Sequence, residues 1–568
     1  PKRPASMTHL LQYFPQLSLR PENLPELRSL ILQLAVEGKL TAEWRKANPD
    51  VEPASELLAR IEAEKAELVK AKKIKKSKPL PPVSAEEMPL ELPEGWVWCR
   101  LGEISEILNG RAYKKQELLE DESLTPVLRV GNLFTSKKWY YSDLELPDEK
   151  YCEKGDLLYA WSASFGPFIW DGPKSIYHYH IWKLPHTDKV NKEFLYYLLL
   201  SDTEKIKASG HGVSMTHMTK AKMTLFEFPL PPLPEQQAIV QTVDALLQEL
   251  DQLQQRTEAR LQLKADYATA ALRRLTTAPA VGPAWEALAP HFRTFFDETG
   301  NVQSLRAAIL QLAVQGKLTA QWRKAHPDVE PATELLSRIK AEKAALVKAK
   351  KIKKEKPLPP VDMDEVPFGV PEGWVWCRLG QMTEVITKGS SPKWQGVSYV
   401  SEDEGILFIT SENVGNYSLL LEKKKYVESK FNDIEPRSIL RRDDILMNIV
   451  GGSIGRTAIF DLDIVANINQ AVTIIRLMDK CFHQYFLHFF NSPLCISYMY
   501  DKQVDNARPN LSMGNIAKFM IPIPPLPEQH AIVQAVEELL GLCTALEEAA
   551  GRRDVVLGDW VRAVVAGV

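Results

Sequence analysis

The sequence predicts an α+β fold: two globular α+β domains joined by long helices that pair as an antiparallel coiled coil, with pseudo-twofold, circularly arranged repeats. Three observations support this prediction. Residues 27–83 recur almost letter for letter at 305–361, residues 93–102 recur at 371–380, and residues 229–236 recur at 522–529. Between these repeats, residues 103–228 and 381–520 share little sequence. Repeated helices with different inserts indicate one frame that presents two different ligand surfaces.

Length and composition limit the class of protein. A chain of 568 residues exceeds one hydrophobic core and should contain about two to four domains. Its 45% hydrophobic and 25% charged content is ordinary for a globular protein, and a net charge of -3 argues against a general nucleic-acid coat. The six cysteines show no disulfide or zinc spacing. With no apolar run long enough for a membrane span and no signal peptide, we expect a cytoplasmic protein.

The N-terminal repeat predicts a helical hairpin. After an irregular lead-in, apolar residues from Leu27 onward follow helical spacing as far as Gly38, which is placed to terminate the helix. A second helix begins near Pro53 and ends in a lysine-rich run at 70–78, before a stiff proline-rich linker at 79–82. These lysines are compatible with DNA phosphate contacts and equally with a solvated helix end that complements the helix dipole.

The first insert changes pattern to short strands separated by turns. We expect strands at residues 126–130, 156–161, 167–170 and 176–182, and a helix at 192–201. This mixture over roughly 130 residues is typical of one α+β domain within the usual size range.

The central helix is predicted to run from Glu235 to Leu275, about 40 residues and roughly 60 Å at 1.5 Å per residue. Its long apolar stripe needs a partner helix. We call residues 27–83 and 305–361 the head repeats, and the long helix after each insert a tail helix. Only at the middle of the chain does a tail helix continue into a head repeat, so the C-terminal tail helix should rebuild this junction in space beside the N-terminal head repeat. The predicted division is 1–92, 93–230, 231–370, 371–523 and 524–568.

These repeats resemble the specificity subunits of type I restriction-modification enzymes. The resemblance covers the chain from about Leu27 and rests on four motifs: residues 230–237 with their copy at 523–530, the Ala-Ile-Leu-Gln-Leu-Ala-Val-x-Gly-Lys-Leu helix, Pro-Glu-Gly-Trp-Val-Trp, and residues 155–162. It implies two target-recognition domains, each reading half of a bipartite site in double-stranded DNA, held apart by helices that the family conserves.

The resemblance also implies partners and cofactors. The repeated helices would dock two methyltransferase subunits, which in turn recruit restriction subunits. No cofactor is expected in this chain. The methyltransferase partner would use S-adenosylmethionine, and the restriction partner ATP and Mg²⁺.

Polar loops of the two inserts are the candidate DNA-reading residues. Arg and Lys suit guanine, Asn and Gln suit adenine, and Ser suits a base or a phosphate, although each loop is also compatible with an ordinary surface role. In the first insert the candidates are Arg111, Lys114, Lys115, Arg129, Asn132, Lys137, Lys138, Ser164, His178, His180, His211, Ser214 and His217. In the second they are Lys388, Ser390, Lys393, Trp394, Asn413, Asn448, Ser453, Arg456, Asn469, Gln470, Arg508, Asn510 and Ser512.

Two motifs invite other interpretations. The glycine-rich loop at 451–456 lacks the nucleotide-binding pattern, so a tight turn is favoured over a phosphate cradle. His178 and His180 should share one face of a strand, but without a third ligand they favour a DNA-facing or half-buried strand over a metal site.

Three functions compete at this point. The sequence contains no recognisable catalytic motif, so the leading hypothesis is a non-catalytic subunit that recognises DNA. The alternative is a protein-interaction scaffold that presents two different binding domains to other proteins. A third possibility is a single-chain nuclease or methyltransferase whose site has no familiar motif.

Overall fold

A computed structural model of the chain describes residues 23–71, 79–88, 91–162, 164–185, 188–208, 218–479, 481–501 and 511–566. The chain divides into two units, residues 1–260 with 554–568 and residues 261–553. Arg260 and Arg553, which precede the two boundaries, stand the same number of residues after Glu235 and Glu528. The two long helices are therefore divided at equivalent positions. The residues after Arg553 belong to the unit that contains the N-terminal repeat, as the circular arrangement predicts.

The first unit begins with the helical hairpin. Its helices are α1 (Leu24–Val36), α2 (Ala42–Ala47), α3 (Ala54–Lys70), α4 (Leu101–Ile104), α5 (Val130–Phe134), α6 (Lys192–Ser201), α7 (Thr203–Ala208), α8 (Lys220–Thr224) and the first part of α9 (Leu233–Thr277). The chain turns after α1 at Gly38, whose φ of 68° suits glycine. Leu27 and Ile31 of α1 are buried in one cluster with Val243 and Leu250 of α9, so α1 supplies a partner helix for the apolar stripe as far as Leu253.

The first insert lies between α3 and α9. Its strands are β1 (Val97–Arg100), β2 (Leu108–Asn109), β3 (Thr125–Leu128), β4 (Tyr140–Ser142), β5 (Tyr151–Cys152), β6 (Leu157–Ser162), β7 (Ser164–Ile169), β8 (Ser175–Tyr177), β9 (Ile181–Lys183) and β10 (Glu227–Leu230). An antiparallel pair, β1 with β10, closes the insert at its two ends. Two four-stranded sheets, β2-β9-β6-β7 and β4-β3-β8-β5, form its body.

The second unit repeats this plan. Its helices are the second part of α9, α10 (Val281–Leu288), α11 (Phe292–Phe295), α12 (Thr299–Val314), α13 (Ala320–Ala325), α14 (Ala332–Lys348), α15 (Phe431–Ile434), α16 (His483–Phe490), α17 (Pro493–Asp501), α18 (Met513–Ala517) and α19 (Leu526–Ala566), which returns to the first unit after Arg553. Among the described residues, no helix combines the length and apolar character that a membrane span needs.

The strands of the second insert form the same kinds of sheet. They are β11 (Val375–Arg378), β12 (Thr383–Lys388), β13 (Tyr399–Val400), β14 (Gly405–Ile409), β15 (Tyr426–Glu428), β16 (Ile445–Asn448), β17 (Thr457–Ile459), β18 (Ala466–Ile468), β19 (Val472–Leu477) and β20 (Met520–Ile523). β11 and β20 form the closing pair, and the body contains the sheets β12-β19-β16-β17 and β13-β15-β14-β18.

The two inserts share part of their topology although their sequences differ. The sheets β2-β9-β6-β7 and β12-β19-β16-β17 have the same order, whereas the other sheet has a different edge strand, β5 beside β8 in the first insert and β13 beside β15 in the second. The closing pairs have the same register, Val97 opposite Leu230 and Val375 opposite Ile523. Each insert also contains one parallel pair, β3 with β8 and β14 with β18. The predicted fold class of two α+β domains on long helices is confirmed.

Most predicted elements agree with the structure, and one strand prediction is wrong. The helix at 192–201 is observed as predicted, and the central helix extends two residues beyond each predicted end. The strand predicted at 176–182 is instead two strands, β8 and β9, separated by a turn at 178–180. Its continuous apolar and aromatic character comes from the burial of two short strands in two different sheets.

A buried glutamate explains why the motifs of the frame recur. Glu235, 0% exposed, lies in the first turns of α9. Its carboxylate accepts hydrogen bonds from Thr41 Oγ1 at 2.7 Å and from Trp96 Nε1 at 2.8 Å, and it pairs with Arg45. Arg45 also donates to the carbonyl of Gly38 at 2.7 Å. The head repeat, the Pro-Glu-Gly-Trp motif and the tail helix therefore meet at one carboxylate.

The second unit has the same junction. Glu528, also 0% exposed, accepts hydrogen bonds from Thr319 Oγ1 at 2.6 Å and from Trp374 Nε1 at 2.9 Å, and it pairs with Arg323. A buried carboxylate is tolerated when it is paired and hydrogen-bonded in this way. The threonine, arginine, tryptophan and glutamate of the repeated motifs therefore contact one another in both units.

Candidate nucleic-acid interface

In each insert a three-residue turn carries the chain from one four-stranded sheet to the other. In the first insert the turn is His178-Tyr179-His180, between β8 and β9. The His178 amide donates to the carbonyl of Leu128 at 2.9 Å, and the Tyr179 amide donates to that of Arg111 at 3.0 Å. The Trp161 amide donates to the carbonyl of His180 at 3.1 Å. Backbone hydrogen bonds to three separate segments thus fix the turn.

Basic and aromatic side chains surround this first turn. The Arg129 guanidinium lies 5.3 Å from the centre of the Tyr140 ring, and the Lys138 ammonium lies 5.0 Å from the same ring. Arg111 packs over Tyr113 at 5.4 Å and forms an ion pair with Glu117. Cations on aromatic faces beside a turn are a suitable arrangement for phosphates and bases.

The histidines of the turn lie close together. Their ring centroids are 4.8 Å apart, and the Trp161 ring is 5.1 Å from His180. Burial, together with the smaller effects of the neighbouring His180 and Arg129, lowers the pKa of His178 to about 4. At neutral pH the His178 imidazole is therefore uncharged, with one nitrogen that donates and one that accepts.

Other candidates of the first insert are dispersed around this cluster. Lys114, Lys115 and Lys137 are exposed, and half-buried Ser164 begins β7 opposite Ser162. His211, Ser214 and His217 lie outside the described residues.

The turn of the second insert is Asn469-Gln470-Ala471, between β18 and β19. The Asn469 amide donates to the carbonyl of Ile409 at 3.0 Å, and the Ile449 amide donates to that of Ala471 at 2.9 Å. Asn469 and Gln470 are half-buried, and Asn469 Oδ1 accepts from the Ala471 amide at 3.0 Å. The predicted residues Asn469 and Gln470 therefore occupy the position of the histidine turn.

The remaining candidates of the second insert fall into three groups. Lys393 and Trp394 are exposed on a short 3₁₀ helix, Pro392–Gln395, and Trp394 is 76% exposed. Half-buried Lys388 ends β12, while Ser390 is buried and accepts a hydrogen bond from Gln395. Three others lie in loops: half-buried Ser453 and exposed Arg456 before β17, and exposed Ser512 as the N-cap of α18. Arg508 and Asn510 lie outside the described residues.

Three predicted asparagines stabilise loops, and two of them are buried. Asn413 is 1% exposed, and its side chain accepts from the Thr410 amide at 3.0 Å and donates to the Leu420 carbonyl. Asn132 does the same in the first insert, accepting from the Arg129 amide and donating to the Lys138 carbonyl. Asn448 is 0% exposed and donates to the carbonyl of Ser411 at 2.9 Å.

Burial corrects part of the sequence prediction. Asn413 and Asn448 are covered by protein, so DNA contacts from these two side chains do not fit this structure. Sequence alone does not distinguish a loop asparagine that contacts a base from one whose side chain hydrogen-bonds the backbone of its own loop.

The structure also describes the histidine pair and the glycine-rich loop. His178 and His180 lie in a turn, so the strand alternation expected for them is wrong. Within the described ranges, no group of three His, Cys, Asp or Glu side chains is arranged to hold a metal ion. The glycine-rich loop forms a short 3₁₀ turn, Gly451–Ser453, with left-handed backbone at Gly451 and Gly455.

The lysine runs remain compatible with both sequence interpretations. Lys70 is the last residue of α3, and residues 72–78 lie outside the described ranges. In the second copy the corresponding lysines are exposed, at 348, 350, 351, 353, 354 and 356.

Sequence reasoning missed the aromatic component of the candidate interface. Tyr113, Tyr140, Trp161 and Tyr179 contact the cations or the turn, and none was predicted as a site residue. The available signal was the alternation of basic and aromatic residues, as in Arg-Ala-Tyr-Lys at 111–114.

Comparison with known proteins identifies relatives of this chain. The family described as type I restriction modification DNA specificity domain matches twice, at residues 93–263 and 371–554. The EcoAI type I restriction enzyme specificity subunit of Escherichia coli is 32% identical over 92% of this chain and 90% of its own length. The EcoEI specificity subunit of the same species is 33% identical with the same coverage. A solved chain from a type I R-M system aligns with 84% of this chain and 98% of its own, at 19% identity and a TM-score of 0.49.

Proposed function

We propose, for a chain that belongs to the family of type I restriction-modification DNA specificity subunits, that its two inserts each read one half of a bipartite DNA site. As a member of this family the chain is a non-catalytic subunit that recognises DNA. The proposal adds which parts of the chain do so, and how the two half-sites are kept apart.

The equivalence of the two inserts carries this proposal. The two inserts are attached at equivalent buried junctions, Glu235 in one and Glu528 in the other. They share the strand order of one four-stranded sheet and the parallel strand pair of the other. Their surface side chains differ, because residues 103–228 and 381–520 share little sequence. Equal frames with unequal surfaces suit a protein that reads two different short sequences.

We assign the spacing of the half-sites to the long helices. α9 continues for 45 residues and α19 for 41 residues. Half-sites on one face of B-DNA are separated by multiples of about 34 Å, which helices of this length can span. The predicted division into 1–92, 93–230, 231–370, 371–523 and 524–568 is retained as part of this proposal.

The head helices are proposed to dock two methyltransferase subunits. α3 and α14 differ only at positions 55, 59, 62 and 67 and their counterparts, although most of their residues are not buried. Packing alone does not require identity at exposed positions. Restriction subunits would join through the methyltransferases, with S-adenosylmethionine bound by the methyltransferase and ATP and Mg²⁺ by the restriction subunit.

An insert exchange tests the proposed function. The segment 381–520 would be replaced by the corresponding segment of another specificity subunit, and the assembled methyltransferase complex would be footprinted on DNA that carries its site. We expect one half-site to change while the other half-site and the spacing persist. A footprint that keeps both half-sites after the exchange would refute the proposal.

The scaffold alternative predicts different behaviour toward salt. Phosphate contacts release counterions, so DNA affinity should fall steeply as salt rises. Binding that is insensitive to salt, with no protected DNA, would favour two protein-binding domains instead.

A further inference from the structure

We propose that the two sheet-crossing turns, residues 178–180 and 469–471, are the paired specificity determinants of the two inserts. This inference rests on the proposed DNA-reading function, and it selects one element of each insert from the dispersed candidates. The two turns have the same length, lie at the same place in the strand order and are held by equivalent backbone hydrogen bonds.

The backbone around each turn is fixed by a glycine. A Cβ added at Gly110 would lie 2.3 Å from the Tyr177 carbonyl oxygen, and one added at Gly389 would lie 1.9 Å from that of Ile468. Both distances are far below a normal contact, so no other residue fits without movement. The same close approach therefore positions each turn against its β2 or β12 segment.

The side chains on this shared backbone are entirely different. The first turn presents His, Tyr and His, and the second presents Asn, Gln and Ala. Asn and Gln can form paired hydrogen bonds to adenine, whereas imidazole and phenol groups offer single donors or acceptors. A common frame with different hydrogen-bonding groups is what two readers of different half-sites need.

The two arginines beside the first turn, Arg111 and Arg129, have no exposed equivalents in the second insert. The counterpart of Arg111 is Ser390, 8% exposed, and the counterpart of Arg129 is Thr410, 5% exposed. The arginines are therefore available in only one insert, where we assign them to phosphates. The turns reach the surface in both inserts: Tyr179 is 39% exposed, and Gln470 is half-buried.

The test exchanges the turns within the full chain. One variant carries His178→Asn, Tyr179→Gln and His180→Ala, and the reciprocal variant carries Asn469→His, Gln470→Tyr and Ala471→His. The control carries Glu122→Ala and Glu145→Ala, two exposed residues of the first insert. Each is assembled with the methyltransferase subunits and used to select sites from a randomised double-stranded DNA library.

We expect each turn variant to alter one half-site only, with a loss of about tenfold to a hundredfold in preference for its original bases. The second half-site, the spacing and binding to unrelated DNA should be retained, and the control should select the original site. A selected site that is unchanged in both turn variants would overturn the inference.

Two further outcomes distinguish a failure of the turns as specificity determinants from a failure of the proposed function. If a turn variant loses binding to unrelated DNA as well as to its site, the turn has a structural role and the inference fails. If the unmodified complex selects no bipartite site, the proposed function itself fails, whatever the turn variants do.

Discussion

The indole N–H of Trp96 donates to the buried carboxylate of Glu235 over 2.8 Å, joining two motifs that are 139 residues apart in the chain. The second unit repeats this contact between Trp374 and Glu528 at 2.9 Å. Because each carboxylate also holds a threonine and an arginine of the head repeat, it connects three separate segments. The repeated motifs of the sequence thus form the same buried junction once in each unit.

Replacing the junction carboxylate should destabilise its unit strongly. Glu235→Gln leaves the largely buried Arg45 without its counter-charge, and we expect a loss of roughly 3–5 kcal/mol in the free energy of unfolding. Urea denaturation followed by tryptophan fluorescence measures this loss. Glu43→Gln, which removes only an exposed pair with Lys46, should change stability by less than about 1 kcal/mol. Equal effects of the two substitutions would contradict the role given to Glu235.

Alanine at the close-approach glycines should disturb the turns. Gly110→Ala and Gly389→Ala each place a methyl group against a carbonyl oxygen, at a cost of about 1–3 kcal/mol. Gly282→Ala is the matched control, because that glycine lies in α10 with no atom within 4 Å of the added Cβ. Alanine there should be neutral or stabilising by up to about 1 kcal/mol. Thermal denaturation of the three variants compares them, and an undisturbed Gly389→Ala protein would show that the turn tolerates movement.

Stability should fall in mild acid, in part because of His488. This side chain is 4% exposed, and burial lowers its pKa from 6.5 to about 4. Between those values the unfolded chain binds a proton that the folded chain excludes, so the contribution is complete above pH 6.5 and is lost as pH falls toward 4. The loss is at most roughly 3 kcal/mol.

Denaturation at pH 7 and pH 5 tests this acid sensitivity. His488→Gln should show a smaller drop in stability between the two pH values than the unsubstituted chain. His326→Gln, at an exposed position, should retain the full drop. A His488→Gln protein with an unchanged pH dependence would exclude His488 as the cause.

Charge reversal on the head helices should remove docked methyltransferases one at a time. Glu56 on α3 and Glu334 on α14 are equivalent, exposed acidic residues. Glu56→Lys and Glu334→Lys should each reduce binding at one of two equivalent docking sites, and the double variant should weaken both. Native mass spectrometry of the mixed subunits reads the stoichiometry directly. Two bound methyltransferases in the double variant at unchanged affinity would place the docking sites elsewhere.

Lengthening the central helix should change the spacing of the half-sites. An insertion of about four residues, near one helical turn, between Leu246 and Leu261 shifts one insert along the helix axis by roughly 6 Å. We expect a longer preferred spacer or loss of specific binding, measured by site selection. An unchanged spacer would show that α9 does not set the distance between the half-sites.

The repeated helices could be predicted from a single sequence because they occur twice in it. Helical spacing and the Pro and Gly at helix ends located α1, α3 and α9, because those signals are local. The insert strands were harder to predict: β8 and β9 are three residues each, too short for a period, and they belong to different sheets.

The candidate site could be predicted only in part, since its geometry depends on burial and on contacts distant in sequence. Asn469 and Asn413 are both loop asparagines in the sequence, yet one lies in the turn and the other is 1% exposed and closes a loop. The equivalence of the histidine turn and the Asn-Gln turn is visible only through strand pairing. The amino acids of the two turns, His-Tyr-His and Asn-Gln-Ala, share no identity that would indicate this equivalence.

Mapping methylated bases across a genome, in cells with and without this chain, tests whether each insert reads one half of a bipartite site. We predict a motif that appears only with the chain, composed of two specified segments separated by an unspecified spacer of constant length. A continuous motif, or methylation that does not depend on the chain, would contradict the assignment of one half-site to each insert.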